Sequence, residues 1–138
     1  MVSLQWRDDL NVGIDFIDTD HQKLAELLIE LSSLLRPGEA QAAALEKLDE
    51  IIEFTRQHFR LEERLMMESD YDQFEQHKQT HETLLREIVT RRQKLTEGDE
   101  DVRREITGFL ERWLMGHIVD SDMQLGAYLK RRMMKDQG

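Results

Sequence analysis

Cysteine is absent from the 138 residues. That excludes disulfides and thiolate metal sites, and fits a reducing compartment, taken here as the cytoplasm. One proline and seven glycines leave few breaks, which favours long helices over sandwiches or barrels with their frequent turns. No apolar run approaches the roughly 20 residues of a membrane span. The start, MVSLQWRDDL, lacks the basic stretch and following apolar run of a signal peptide. Positive charge is scarce, with 19 Lys and Arg against 29 Asp and Glu and a net charge of -10. Nucleic acid and anionic membranes both need a cationic surface and are poor partners for such a chain. A chain of this length buries roughly two-thirds of its unfolded surface, enough for one core without staples.

What is present is helical periodicity. Residues 1–18 lack it; Trp6, Leu10, Val12, Ile14, Phe16 and Ile17 predict an extended arm packed across a bundle. A first helix is expected from Thr19, where Thr19 and Gln22 have capping-box spacing, with Leu24, Leu27, Leu28, Leu31, Leu34 and Leu35 on one face and Pro37-Gly38 as the stop. A second runs from about Glu39 to Met67 on Leu45, Leu48, Ile52, Thr55, Phe59, Glu62 and Met66. A third, capped by Asp72, carries Phe74, His77, His81, Leu84, Leu85, Ile88 and Val89 and ends at Gly98. A fourth opens near Asp99 with Val102, Ile106, Phe109, Leu110, Trp113, Leu114, His117 and Ile118. Ser121 and Gln124 suggest a fresh cap and a short tail helix. The expectation is all-α: one domain over 1–138, with an arm over about 1–18, an up-down-up-down four-helix bundle over about 19–119 and a C-terminal helix over about 121–135.

The histidines keep register with the apolar stripes. One such histidine alone is ordinarily a core residue with a polar partner. Here all five, His21, His58, His77, His81 and His117, fall on inward stripes. His58 and Glu62 are four apart, as are His77 and His81, a spacing that puts both side chains of each pair on one face within reach of one ion. Each pair alone is a weak signal; two on adjacent antiparallel helices are a strong one. Asp122 lies five after His117, about 500° around an ideal helix, so the helix must end or bend between them. Without a metal, Asp122 reads as a first-turn carboxylate favoured by the helix dipole. Gly116 and Gly126 would allow close approach of neighbouring elements.

Buried imidazole and carboxylate need partners, and metal ions supply them. This donor set suits iron, manganese or zinc, and bundle cores host two-metal sites. Five imidazoles, bridging Glu62 and Asp122, and a solvent-derived bridge fill all but one position of two six-coordinate ions. The vacancy suits a small ligand. Oxygen-activating di-iron bundles use mostly carboxylates and Glu-x-x-His spacing, which this chain lacks. A histidine-rich shell points to reversible binding of dioxygen rather than O–O cleavage.

The segments WRDDLNVGIDFIDTDH (6–21), HFRLEERLMM (58–67), HKQTH (77–81) and WLMGHIVDSD (113–122), in this order, resemble the single-domain bacterial hemerythrins. The resemblance implies a four-helix bundle holding two iron ions with an oxo or hydroxo bridge. It implies His77, His81 and His117 on one iron, His21 and His58 on the other, and Glu62 and Asp122 bridging. It also implies an oxygen pocket at Trp113, Leu114 and Ile118, which would otherwise read as core. Two positions depart from the family pattern. Asp20 stands where Gln is frequent; it is expected to be an exposed first-turn acid, the alternative being an acceptor beside the two-histidine iron. Tyr71-Asp72 stands where Tyr-Pro is frequent.

The function expected is that of an oxygen carrier, store or local supplier, a binding protein rather than an enzyme. The alternatives are an oxygen or redox sensor, for which the tail after Asp122 leaves no room for a fused signalling domain, a di-iron enzyme acting on nitric oxide or peroxide, and a metal-free adaptor. An HD-type hydrolase would need adjacent His-Asp, and the chain offers only Asp20-His21 in reverse order.

Overall fold

The computed structural model describes residues 8–37 and 39–137; Trp6 of the expected arm and Gly38 of the expected stop lie outside them. A 3-10 turn, Asp8–Leu10, leads into helices α1 (Asp15–Leu34), α2 (Gln41–Glu68), α3 (Phe74–Thr96) and α4 (Glu100–His117). A π-helical turn, Ile118–Asp122, then joins α4 to α5 (Met123–Gln137). α1 packs on α2 and α4, and α3 packs on the same two helices. This closes the four-helix bundle, and no strand occurs among the described residues. Among the described residues no helix is long and apolar enough to cross a membrane.

The stripes face inward as their spacing requires. Leu24, Leu27, Leu28 and Leu31 of α1, Leu48, Ile51 and Met66 of α2, and Ile106, Leu110 and Ile118 beside them are buried in one cluster. Each contributes about 1.5–3 kcal/mol relative to an exposed side chain. Val89 departs from its expected place and is 44 % exposed; Ile88 takes the inward position in α3.

The helix ends explain where the chain turns. At the end of α2, Tyr71 N–H donates to Met66 O and Asp70 N–H to Met67 O, with Asp70 in the left-handed region at φ 55°. This is a Schellman motif closed by aspartate, a residue that tolerates that conformation better than most. The end of α3 repeats it: Asp99 N–H reaches Lys94 O, Gly98 N–H reaches Leu95 O, and Gly98 takes φ 82°. Asp99 at once caps α4, its carboxylate accepting from Val102 N–H at 3.0 Å, as its position predicts.

Three expected starts are displaced. α1 begins at Asp15, so Phe16 and Ile17 belong to the helix and Thr19 caps nothing. No side chain caps α1; instead the Asp18 carboxylate folds back to hold the segment before the helix, accepting from Val12 N–H at 2.7 Å and Gly13 N–H at 3.0 Å. α3 begins at Phe74 after Gln73, with no side-chain cap, so Asp72 does not play the role its type suggests. No new start forms at Ser121, because the π turn carries the chain from α4 into α5 without a break.

α5 meets the N-terminal segment at Gly126, where a Cβ would lie 2.6 Å from the carbonyl oxygen of Val12; at Gly116, by contrast, a Cβ would meet nothing within 4 Å. Close approach therefore needs glycine at the first position only. Gly126→Ala is expected to destabilise the protein by about 1–3 kcal/mol through overpacking against backbone. Gly116→Ala is expected to be neutral or stabilising by up to about 1 kcal/mol, the helix-propensity gain. Denaturant melts of the two variants beside the parent check the contrast, and equal effects would contradict the packing described here.

Candidate metal centre

Seven ionisable side chains meet inside the bundle, toward the end where α1 and α3 begin and α2 and α4 finish. His21 comes from α1, His58 and Glu62 from α2, His77 and His81 from α3, His117 from the end of α4, and Asp122 from the π turn. All are buried; the most exposed, His117, is 7 % accessible, and both carboxylates are at 0 %. The i, i+4 pairs stand on one face of their helices as spacing predicts. Asp122 shares a face with His117 for a different reason. A π turn closes hydrogen bonds five residues apart rather than four, which brings the side chain five positions on back over the one that precedes it. Neither a helix end nor a Ser121 cap is needed.

The two carboxylates divide the histidines. Glu62 Oε1 lies 3.3 Å from His77 Nε2 and 3.1 Å from His81 Nε2, and Asp122 Oδ1 lies 3.0 Å from His77 Nε2 and 3.1 Å from His117 Nε2. The other two oxygens face the other way: Glu62 Oε2 is 2.8 Å from His58 Nε2, and Asp122 Oδ2 is 2.9 Å from His21 Nε2. Two sets of ligand atoms result, one of Glu62, His77, His81, His117 and Asp122, the other of His21, His58, Glu62 and Asp122. Within each set all the atoms lie within 4.8 Å of one another.

These donors fit metal ions better than they fit one another. Nε2 of His58 and His77 and all four oxygens of Glu62 and Asp122 are buried without a contact of hydrogen-bond geometry, although each has a neighbour at ion-pair distance. Such atoms point at a common centre, and a proton can satisfy only one pair where each atom faces several. A bundle core rarely leaves so many polar atoms unpaired.

Without metal, the two buried carboxylates favour the charged forms of His58 and His77. Burial pushes the His58 pKa down, but Asp20 and the Glu62 and Asp122 carboxylates outweigh it and raise it to about 10. Burial likewise opposes, and Asp122 and Glu62 reverse, the shift of His77, which rises to about 9. Burial would raise both carboxylates; the imidazoles around Glu62 hold it well below the usual carboxylate range, and those around Asp122 do the same.

Two outer carboxylates brace the cluster. Asp20 Oδ2 is 2.8 Å from His58 Nδ1, and Glu63 Oε2 is 2.9 Å from His81 Nδ1. A carboxylate oxygen accepts, so Nδ1 of each ring carries a hydrogen, and Nε2 faces inward, with its lone pair available once the ring is neutral. Asp20 thus corrects the expectation of an exposed acid. Because α1 begins at Asp15, Asp20 lies a full turn inside the helix and reaches α2. Nothing in the sequence marks Glu63, which stands beside Glu62 and off the apolar stripe.

Aromatic rings enclose the histidines. Phe59 stacks on His81 with centroids 3.7 Å apart and planes 6° apart, and Trp113 lies parallel to His117 at 6.4 Å. Trp113, Leu114 and Ile118 are all buried. A cavity of about 510 Å³ between α3 and α4 is lined by Thr80, Leu84, Trp113, Gly116, His117 and Asp120, among others, and opens beside the three-histidine set.

Comparison with known proteins places this arrangement. Residues 12–129 match the family model described as the hemerythrin HHE cation binding domain. The chain is 35 % identical over 133 residues to the bacteriohemerythrin of Stenotrophomonas maltophilia, covering 96 % of this chain and 86 % of that one. It is 38 % identical over 122 residues to the bacteriohemerythrin of Pseudomonas aeruginosa strain PAO1, covering 88 % and 78 %. A crystal structure of a wild-type hemerythrin superposes with a TM-score of 0.79 at 23 % identity over 93 % of this chain and 98 % of that one, a likeness of fold.

The pKa shifts set a signed pH dependence. A histidine whose folded pKa is raised stabilises fully below its unfolded value, about 6.5, and loses that contribution as pH climbs through the folded value. The metal-free protein should therefore melt about 5 °C or more lower at pH 9.5 than at pH 6.5. Metal uptake should strengthen over the same interval and release protons, since the ligands must be neutral imidazoles. Calorimetric melts with and without metal check this; a metal-free midpoint that holds steady or rises would contradict the assigned charges.

Proposed function

The chain belongs to the hemerythrin family, and we propose that it binds dioxygen reversibly at a non-haem centre of two iron ions with an oxo or hydroxo bridge, as a carrier, store or local supplier rather than an enzyme. The observation that carries this reading is the unequal division of donors by Glu62 and Asp122. Three histidines face one oxygen of each carboxylate and two face the other. His77, His81 and His117 would hold one iron and His21 and His58 the second, with both carboxylates shared. The second has fewer protein donors, and a small ligand has its place there. When bound, the irons supply the electrons that dioxygen takes up and returns.

The chain's own residues do the rest. Only two carboxylates enter the set, and imidazole is a neutral donor, so the site carries less negative charge than the carboxylate-rich bundles that cleave oxygen. Trp113, Leu114 and Ile118 are buried on the last bundle helix and the turn after it; there they would wall the ligand position and exclude water. Water exclusion favours release of an unchanged ligand over its conversion, because protons are the co-reactant that conversion needs.

Reduced, iron-loaded protein should show a visible charge-transfer band on exposure to air that disappears on degassing, over repeated cycles. A one-way change to a ferric spectrum would move the assignment to an enzyme acting on nitric oxide or peroxide, and failure to take up iron would remove it. His77→Ala should cut bound iron to at most half the parent content. It should also destabilise the loaded protein by about 3 kcal/mol, the ligand linkage lost at saturating metal, and so lower its melting point. Unchanged iron stoichiometry in that variant, measured by atomic absorption, would count against the ligand set.

A further inference from the structure

Asp20 and Glu63 occupy equivalent places in the architecture. Each follows or precedes a cluster residue in sequence, yet each serves a histidine of the next helix: Asp20 of α1 holds His58 of α2, and Glu63 of α2 holds His81 of α3. Neither belongs to the two converging sets. Both stand at the rim, with side chains 25 % and 22 % exposed, against histidines buried to 4 % and 1 %. Each contact therefore ties a buried ring to a carboxylate on a different backbone and fixes both the ring's tautomer and its plane.

The two rings are not equally constrained otherwise. His81 is also clamped by the Phe59 ring, stacked at 3.7 Å. Among the described residues no ring stacks on His58. Its aromatic neighbours are His21, edge-on at 5.1 Å, and Phe59, tilted at 6.2 Å. Its Nδ1 edge is held by Asp20 at 2.8 Å, opposite the Nε2 edge that faces Glu62.

We propose that Asp20 and Glu63 are positioning residues that lock the two halves of the centre separately, and that Asp20, by orienting His58, controls metal retention in the two-histidine half. The inference rests on the two-iron reading. Loss of an outer partner of a metal-bound histidine typically weakens metal binding 10–100-fold. For Asp20 that loss falls on one ion of the pair. For Glu63 it is smaller, because stacking on Phe59 still holds His81.

Anaerobic ferrous titration of the full chain, with iron per protein counted after dialysis against graded chelator, tests this. The parent should retain two ions. Asp20→Ala should retain one as the parent does and hold the other about 10–100-fold more weakly, while Asp20→Asn, whose amide oxygen accepts the same Nδ1–H, should recover most of the loss. In a His58→Ala background, adding Asp20→Ala should leave the remaining ion unaffected, because the residue has nothing left to orient. Helical content of metal-free Asp20→Ala equal to the parent's by far-UV circular dichroism separates positioning from a general loss of structure. The inference is overturned if Asp20→Ala keeps both ions as tightly as the parent, or weakens the remaining ion in the His58→Ala background as well. A parent that holds fewer than two ferrous ions would overturn the two-iron reading first, and this inference with it.

Discussion

Two carboxylates with no exposure to solvent sit at the centre of this bundle, ringed by five imidazoles, and the rest of the structure accommodates that burial. Moving an isolated carboxylate into an apolar interior is among the most unfavourable steps a protein can take. Glu62 and Asp122 are tolerated because each oxygen faces at least one imidazole nitrogen. The arrangement is self-consistent as a charged cluster without metal, and more so with ions at the two points on which the atoms converge. Removing one member would leave the remaining charges uncompensated in a low-dielectric core, so the cluster behaves as a unit.

The helices surrounding the cluster are built to hold it in register. Both turns that flank α3 are closed by Schellman motifs, with a left-handed residue, Asp70 or Gly98, at the same place in each. Short turns of this kind leave little freedom in how far α2, α3 and α4 slide past one another. Tyr128 of α5 reinforces the first by donating its hydroxyl hydrogen to Ser69 O at 2.6 Å. The π turn spends one residue's worth of regular hydrogen bonding to swing Asp122 inward. Such turns occur at functional sites for this reason: a local irregularity re-aims a single side chain without ending the helix.

The chemistry follows from what the cluster contains and what it leaves out. Imidazole predominates over carboxylate, and the walls are aromatic and aliphatic: Phe59, Trp113, Leu114 and Ile118. On the reading proposed above, five imidazoles with only two carboxylates among apolar walls would suit a ligand that enters and leaves unchanged. Proton-coupled chemistry is better served by the acidic, wetter interiors of carboxylate-rich bundles. Asp20 and Glu63 add negative charge only at the rim, where solvent screens part of it.

Helix number, the inward faces and the involvement of all five histidines were legible in the sequence, because a 3.6-residue period is a local property and His58–Glu62 and His77–His81 declare their shared face by spacing alone. The opening of α4 near Asp99 was legible too, since its apolar period begins directly after that residue. The start of α1 was misread because Thr19 and Gln22 have the spacing of a cap, while the contact made there, Asp18 reaching back to Val12 and Gly13, depends on how the preceding segment lies on the core. Asp72 was misread as a cap, and Val89 as inward, because residue type and spacing do not determine the exact rotation of a helix against its neighbours. The same rotation decides that Asp20 touches His58 and that Glu63 touches His81. The sequence showed that the chain must bend between His117 and Asp122; only packing of the bundle decided that a π turn, rather than a helix break, brings them together, since the carboxylate must reach a cluster assembled from three other helices.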